Sequence, residues 1–430
     1  MLIRNALIAG NLLDLRLREG RIAEIGANLR GEELLDAAGA TVLPGLVDHH
    51  LHLHAMAAAA TSADMSGLDP LGMAHVLAGA PTDAHGWVRA VGLAADLDGA
   101  ALDALHPYRP VRAQHRSGAR WTVNTLGAHR LGLATAVHPG IERDSAGRVT
   151  GRLHRADDWL RARLPPTGPP DLAAVGRRLS RHGITSVTDA TPNLTTFDAA
   201  ALPQHVTLLG VGLESPAPTG TRVGPYKVVL ADPNLLGLDD LVDRIAAAHG
   251  TGRAVAVHCV SREALALLLA AFECTGTVDG DRIEHASLIP EGVIEILAAR
   301  GLRIVTQPGF LADRGDDYRH EVPAGDLPDL YRCASLRAGG VRLAFSSDAP
   351  HGPLDPWTIL AAATARRTPD GQVLNPAERI PPHAALDCYL APPEDPGGAP
   401  RRIARGLPAD LVLRRHAATI ATIIGGRRVF

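Results

Sequence analysis

The stretch AVAVHCVSREALALLLAAFE, residues 254–273, decides how this chain folds. Its first six residues are an apolar, β-branched run that reads as a strand buried on both faces. Ser261 is then placed to cap SREALALLLAAFE (261–273), whose apolar residues recur at helical spacing. One strand followed at once by one helix is the repeating piece of a parallel sheet. The same buried-strand character returns in ITSVTD (184–189), VTLLGV (206–211), YKVVLA (226–231), RIEHA (282–286), LRIVTQ (302–307) and VRLAFSSD (341–348). Helical segments lie between most of them. LDDLVDRIAAAH (238–249) has an acidic start, and EGVIEILAAR (291–300) follows Pro290 and stops at Gly301. Alternation of this kind implies a parallel α/β fold. These seven strands, with TVLPGLVDHHLHLH (41–54) upstream, make eight, and eight units predict a closed (β/α)8 barrel of TIM type.

The rest of the chain is fitted around that barrel. Residues 60–165 interrupt the first unit with strand-like WVRAVGL (87–93) and PVRAQHR (110–116), and leave through the Pro-rich LPPTGPP (164–170). They are read as an insertion after strand 1, on the loop face. LIRNALIAG and LRLREGRIAEIG near the start, and ADLVLRR with TIATIIGGRRVF at the end, alternate apolar and polar residues between Gly turns, as antiparallel strands do. The expected division is a small β-sandwich from 1–43 plus 392–430, with APPEDPGGAP (391–400) as a linker, and a catalytic barrel over 44–391.

Bulk composition narrows the function classes. A formal net charge of −3 with both signs mixed gives no electrostatic case for nucleic acid or an anionic membrane. Aromatics at 3% are too few for base-stacking platforms. No apolar run approaches the roughly eighteen residues that cross a bilayer. The N-terminal MLIRNALIAGNLLDLRLREG is broken by Asn and Asp and lacks a small-residue cleavage site, so it does not read as a signal peptide. Cys259, Cys274, Cys333 and Cys388 show no paired spacing, which suits a reducing cytoplasm. The expected partner is a small-molecule substrate; a homo-oligomeric state is left open.

The anomaly is histidine, of which there are 20, several in one cluster. On a strand alternate side chains share a face, so Asp48, His50, His52 and His54 in VDHHLHLH are expected to point the same way. Two imidazoles two residues apart at the C-terminal end of a barrel strand can both reach one metal ion, and that end is where barrel active sites sit. His258 closes AVAVHC, His285 closes RIEHA and Asp348 closes FSSD. A satisfied core polar group would explain any one of them; four strand ends carrying ligand types are harder to assign to packing. His with Asp fits Zn²⁺ or a similar borderline ion rather than Ca²⁺ or Mg²⁺.

Lys227, in GPYKVVLADP (224–233), is the one lysine among 43 basic residues. It stands in an apolar strand, and alternation alone does not fix which way it faces. Burial and nearby cations favour its neutral amine. A neutral amine reacts with CO₂ to give a carbamate, whose two oxygens can bridge two metals; arginine cannot lose its proton in this way. A strand-end lysine with its head in water is the ordinary alternative.

Taken in order, PGLVDHHLH, PYKVVLAD, AVAVHC, RIEHAS and FSSDAP resemble the amidohydrolase superfamily of metal-dependent hydrolases, in the branch of N-substituted formamide deformylase-like proteins. DALHPYRPVRAQHRSGARWTVNT and GITSVTDA are also similar to stretches of that branch, so the resemblance spans nearly the whole chain. It implies His50 and His52 on one metal, His258 and His285 on a second, a carboxylated Lys227 bridging two Zn²⁺ (or one ion alone), and Asp348 completing the site. Asp348 is then the catalytic general acid/base for hydrolysis of an amide, formamide or cyclic amide. The chain departs from the branch at Ser117-Gly118-Ala119, where a histidine is usual in the turn, and at ADPNLLGL (231–238), which replaces a longer loop. Two other readings stand beside it: a mononuclear deaminase of an aminated heterocycle, and a metal-binding barrel without catalysis. Glu284, next to a proposed ligand, is expected to face away from the barrel lumen. Substrate contacts are sought in His54, His351, Gln307, Trp121, and in Arg314 and Tyr318 of PGFLADRGDDYRH (308–320), read as a loop.

Overall fold

TVLPGLVDHHLHLH folds as two strands, Thr41–Pro44 and Leu46–Leu51, in different sheets. Gly45 is the pivot. A Cβ there would lie 2.2 Å from Thr185 Cγ2 and 2.3 Å from its Oγ1, so only glycine lets the chain pass. In this computed structural model, residues 1–430 are described except 32, 167, 169, 233 and 234; LPPTGPP and ADPNLLGL therefore fall partly outside the described residues.

The chain divides into two compact units, Met1–Leu53 with Leu172–Phe430, and His54–Asp171. In the first, both termini share one eight-stranded sheet: Leu411–Arg415 pairs antiparallel with Thr41–Pro44, and Leu2–Ile8 lies between Thr41–Pro44 and Asn11–Arg18. Ile3, Leu15, Val42, Leu411, Leu413 and Ile423 form its buried core.

Two parallel sheets carry the rest of that unit. In one, Leu46–Leu51, Ile184–Asp189, His205–Leu208 and Thr221–Val223 run side by side. In the other the order is Tyr226–Val229, Val255–Cys259, Arg282–His285, Arg303–Thr306 and Arg342–Phe345. The expected βα order holds: Ser261 Oγ accepts from Ala264 N and starts the helix Arg262–Thr275. The expected single ring does not, since among the described residues the ladder is interrupted at two seams. Backbone bonds outside the ladders span them: Lys227 N to Leu209 O at 3.1 Å at one, and Asp348 N to His50 O at 2.8 Å with His52 N to Ala349 O at 2.9 Å at the other.

Residues 308–320 are helical rather than a loop. The helix Gly309–Glu321 starts after Pro308 and bends at Arg314 (φ −139°, ψ 22°), buried along Phe310 and Leu311. The second unit is built on a six-stranded mixed sheet in which Val88–Leu93 pairs parallel with Val111–His115. Its apolar core includes Leu77, Val88, Ala90, Leu102, Val111 and Ala113.

Candidate metal centre

The strand Leu46–Leu51 carries the first ligand group, and its pairing explains the geometry. Val187 is opposite Asp48 but Asp189 is opposite Leu51, so one extra residue is accommodated around His49 and His50. Such a bulge re-aims side chains and breaks simple alternation. Asp48 accordingly turns to backbone, accepting from Ser347 N at 3.1 Å and His50 N at 3.2 Å. Burial pushes its carboxyl up to about 7. The shared face expected for Asp48, His50, His52 and His54 therefore does not form: the strand ends at Leu51, and His54 lies in the helix Leu53–Ala60.

His50, His52 and Asp348 do converge. His52 Nε2 is 3.2 Å from Asp348 Oδ1, and His50 Nε2 is 3.6 Å from the same oxygen. One ligand atom from each lies within 4.8 Å of the other two. His50 Nδ1 is bonded to the Glu284 carboxylate, whose other oxygen accepts from Arg282 Nε at 2.5 Å. Glu284 thus faces the histidines, contrary to the expectation from its place beside His285. Its bond fixes the tautomer that leaves the His50 Nε2 lone pair free. Among the described residues neither that nitrogen nor Asp348 Oδ1, both buried, has a hydrogen-bond partner. Two acceptors facing each other in a buried site repel unless a cation or a proton lies between them, so the residues fit a metal.

The charge states agree with ligation. Burial, then the Lys227 charge, hold His50 well below its ordinary value and keep it neutral. Burial would raise the Asp348 carboxyl, but contact with His52 and the adjoining imidazoles of His285 and His50 hold it well below the carboxylate range. Burial also lowers His285.

The structure brings His285 and His258 alongside. The His50 and His285 rings are 4.8 Å apart and the His258 and His285 rings 4.5 Å apart. His285 Nδ1 hydrogen-bonds Gln307 Oε1 at 2.9 Å and is 3.9 Å from Asp348 Oδ2; Gln307 Nε2 donates to Ser346 Oγ at 2.9 Å. Both ends of the Gln307 amide are therefore occupied within the protein. Lys227 is buried, and burial lowers its amine to about 8 against the pull of Glu284 and Asp348. His285, Ala286 and Asp348 all hold positive φ (68°, 47° and 55°), a conformation that costs non-glycine residues and concentrates at functional sites.

Around this group, the His351 ring is 5.6 Å from that of His52, and burial pushes His351 down to about 4. Arg314 Nη2 donates to His351 O, and its guanidinium carbon is 4.3 Å from the Phe310 ring centre. Tyr318 Oη is 3.3 Å from Tyr331 Oη. Trp121 lies in the second unit, its ring in an apolar cluster and its Nε1 donating to Asp157 Oδ1 at 2.9 Å. Two residues beside the site escaped the sequence reading. Asp189 accepts from Leu53 N at 2.7 Å and from Thr191 N at 2.9 Å, and Thr191 Oγ1 is 3.4 Å from His52 Nδ1. The available signal was that Asp189 closes ITSVTD as Asp348 closes FSSD.

A family model described as the amidohydrolase family matches residues 33–430. The chain belongs to the amidohydrolase family. It is a hydrolase of carbon–nitrogen bonds other than peptide bonds. This amidohydrolase is 25% identical to the N-substituted formamide deformylase of Arthrobacter pascens, over 88% of this chain and 85% of that protein. Its fold resembles a metal-dependent hydrolase from Pyrococcus horikoshii OT3 with a TM-score of 0.70, 20% identity, and coverage of 90% and 91% of the two chains. It also resembles the N-isopropylammelide isopropylaminohydrolase of Burkholderia multivorans (TM-score 0.51, 17% identity, 100% and 97% covered). No described helix of the amidohydrolase is long and apolar enough to cross a membrane.

Proposed function

We propose that the chain hydrolyses the C–N bond of a small amide, formamide or cyclic amide at a two-metal centre. The convergence of His50, His52 and Asp348, with two of their acceptor atoms buried and unpartnered, carries the reading. His50 and His52 would hold one ion, His258 and His285 the other, and Lys227, as its CO₂-derived carbamate, would bridge them. An amine at about 8 is in part neutral near pH 7, the form that attacks CO₂. Zn²⁺ suits the donor set, and such ions when bound acidify water and polarise a carbonyl.

Asp348 takes the proton of the attacking water and returns it to the departing nitrogen, which leaves poorly unless protonated. Glu284 holds the His50 tautomer, and Gln307 does the same for His285. Arg314 and His351, packed together beside His52, are placed to meet the substrate; Tyr318 lies one contact further out. We read the nine parallel strands as an eight-stranded TIM-type barrel interrupted at two seams, with Thr221–Val223 as an extra edge strand and the terminal sheet as one part of a β-sandwich domain. Four free cysteines, three of them buried, fit a reducing cytoplasm.

The relative from Arthrobacter makes N-substituted formamides the first substrates to try. The test is the appearance of free amine and carboxylate from a panel of formamides and open-chain amides, and of the ring-opened product from cyclic amides, with metal content measured on the same protein. Asp348→Asn should lose about 10²–10⁴-fold in kcat. A second reading, a one-metal aminohydrolase, is favoured by the fact that three ligand residues gather within 4.8 Å by themselves. Lys227→Ala separates the two: loss of activity and of one metal equivalent supports the bridged pair, whereas full activity on an aminated heterocycle supports the single ion.

A further inference from the structure

We propose that Arg89 and Arg112 form a binding site for a small oxyanion, a carboxylate or a phosphate, within the His54–Asp171 unit. The parallel pairing of Val88–Leu93 with Val111–His115 sets Arg89 directly beside Arg112. Neighbouring strands are about 4.8 Å apart, and like charges at facing positions destabilise a sheet. The arginines cannot turn away, because the opposite face of both strands is apolar core: Val88, Ala90, Val111 and Ala113.

The neighbouring strand Arg120–Val123 places Trp121 opposite Gln114. The Arg89 and Arg112 guanidinium carbons lie 5.3 and 5.8 Å from the Trp121 ring centre. Arg89 donates to Ser62 Oγ at 2.6 Å and to Gln114 Oε1 at 3.1 Å. Among the described residues the Arg112 side chain makes no hydrogen bond, and its Nε is buried without an acceptor. Stacking on tryptophan supplies no acceptor, so it leaves that donor unsatisfied.

Nearby carboxylates do not fill the role. Asp157 accepts from Trp121 Nε1, and Asp83 accepts from His85 N at 2.9 Å and Trp87 N at 3.0 Å. Neither forms an ion pair with Arg89 or Arg112 among the described residues. Burial and then the Arg112 charge push Arg89 down to about 10, and burial lowers Arg112 as well; the charges of Asp157 on Arg89 and of Asp83 on Arg112 act the other way and do not offset it. Both remain partly exposed. An oxyanion seated there takes charge-assisted hydrogen bonds from both forks and removes their repulsion. The arrangement is contained in this unit and stands independently of the hydrolytic centre.

The test is calorimetric titration of the purified full chain with inorganic phosphate and, separately, with acetate, at constant ionic strength. Thermal unfolding with each anion gives a second readout. Saturable one-site binding of either anion, weakened at least about tenfold by Arg112→Gln, is the expected result. Stronger binding of phosphate assigns a phosphorylated ligand, and stronger binding of acetate a carboxylate. Arg112→Lys keeps the charge but loses the planar fork, so it should also weaken binding; it serves if the glutamine variant does not fold. No saturable binding of either anion to the wild type up to about 20 mM would overturn the site, as would equal affinities in wild type and variants.

Discussion

Glu284 and His285 are consecutive on one strand, yet both turn towards the same group of histidines. Strict alternation would send one of them away. His285 escapes it by taking φ 68° at the strand end, while Glu284 keeps its strand position and reaches His50 Nδ1. Glu284 is therefore a positioning residue for a proposed ligand. Glu284→Gln should weaken metal binding by about 10–100-fold, as loss of a ligand's carboxylate partner typically does. Competition against a chromogenic chelator measures this; unchanged metal affinity in a folded variant would mean that Glu284 serves only Arg282. The candidates themselves stood out in the sequence, because His50, His52, His258, His285 and Asp348 lie at the ends of apolar strands, and the structure gathers His50, His52 and Asp348. The bulge at His49–His50 and the positive φ at His285 and Asp348 were not, since both arise from how neighbouring strands pair and not from any local run of residues.

Helix starts show the same division between what is local and what is remote. Ser261 caps the helix that follows it directly, through a bond to Ala264 N at 3.1 Å, and its place in the sequence announces that role. Ser261→Ala should cost about 1 kcal/mol in chemical denaturation. The helix Ala334–Ala338 instead has its first N–H groups met by Glu378, which accepts from Cys333 N at 2.8 Å and Ser335 N at 3.0 Å and pairs with Arg332 Nη1 at 3.0 Å. Nothing near residue 334 advertises a cap more than forty positions away. Burial opposes the charge of Glu378, but these bonds win and its pKa is lowered. A depressed carboxyl contributes stability above its unfolded value, about 4.3, and loses it as pH falls through the lower folded value. Glu378→Gln should thus cost about 2 kcal/mol at pH 7 and progressively less in acid. Urea titrations at pH 7 and in mild acid check the sign, and a gap that does not shrink would show that the charge is not the source. Gly45 is a third case: its need for glycine comes from Thr185, so Gly45→Ala should cost about 1–3 kcal/mol, partly recovered by Thr185→Gly in the same chain.

At the scale of the molecule, the proposed ligands come from both parallel sheets. His50 and His52 belong with the Leu46–Leu51 sheet, whereas Lys227, His258, His285 and Asp348 belong with the sheet ending in Arg342–Phe345. Bound metal would tie together two seams that only a few backbone hydrogen bonds otherwise span, Lys227 to Leu209 at one, and Asp348 to His50 with His52 to Ala349 at the other. A ligand bound only by the folded state stabilises it by about 2.7 kcal/mol at a hundredfold excess over its Kd. In a unit of this size that corresponds to a melting shift of roughly 4 °C. Chelation should therefore lower the main calorimetric transition by about that amount, and hydrogen exchange should speed up most at Tyr226–Val229 and Leu46–Leu51, the strands at the seams. The His54–Asp171 unit supplies none of the proposed metal ligands, so exchange in Val88–Leu93 and Val111–His115 should be unaffected. Equal acceleration in both units would mean that the metal acts on the molecule as a whole. No change in either would count against any ion linking the two sheets, and would leave the buried acceptors at His50 Nε2 and Asp348 Oδ1 to be matched by some other cation or by water.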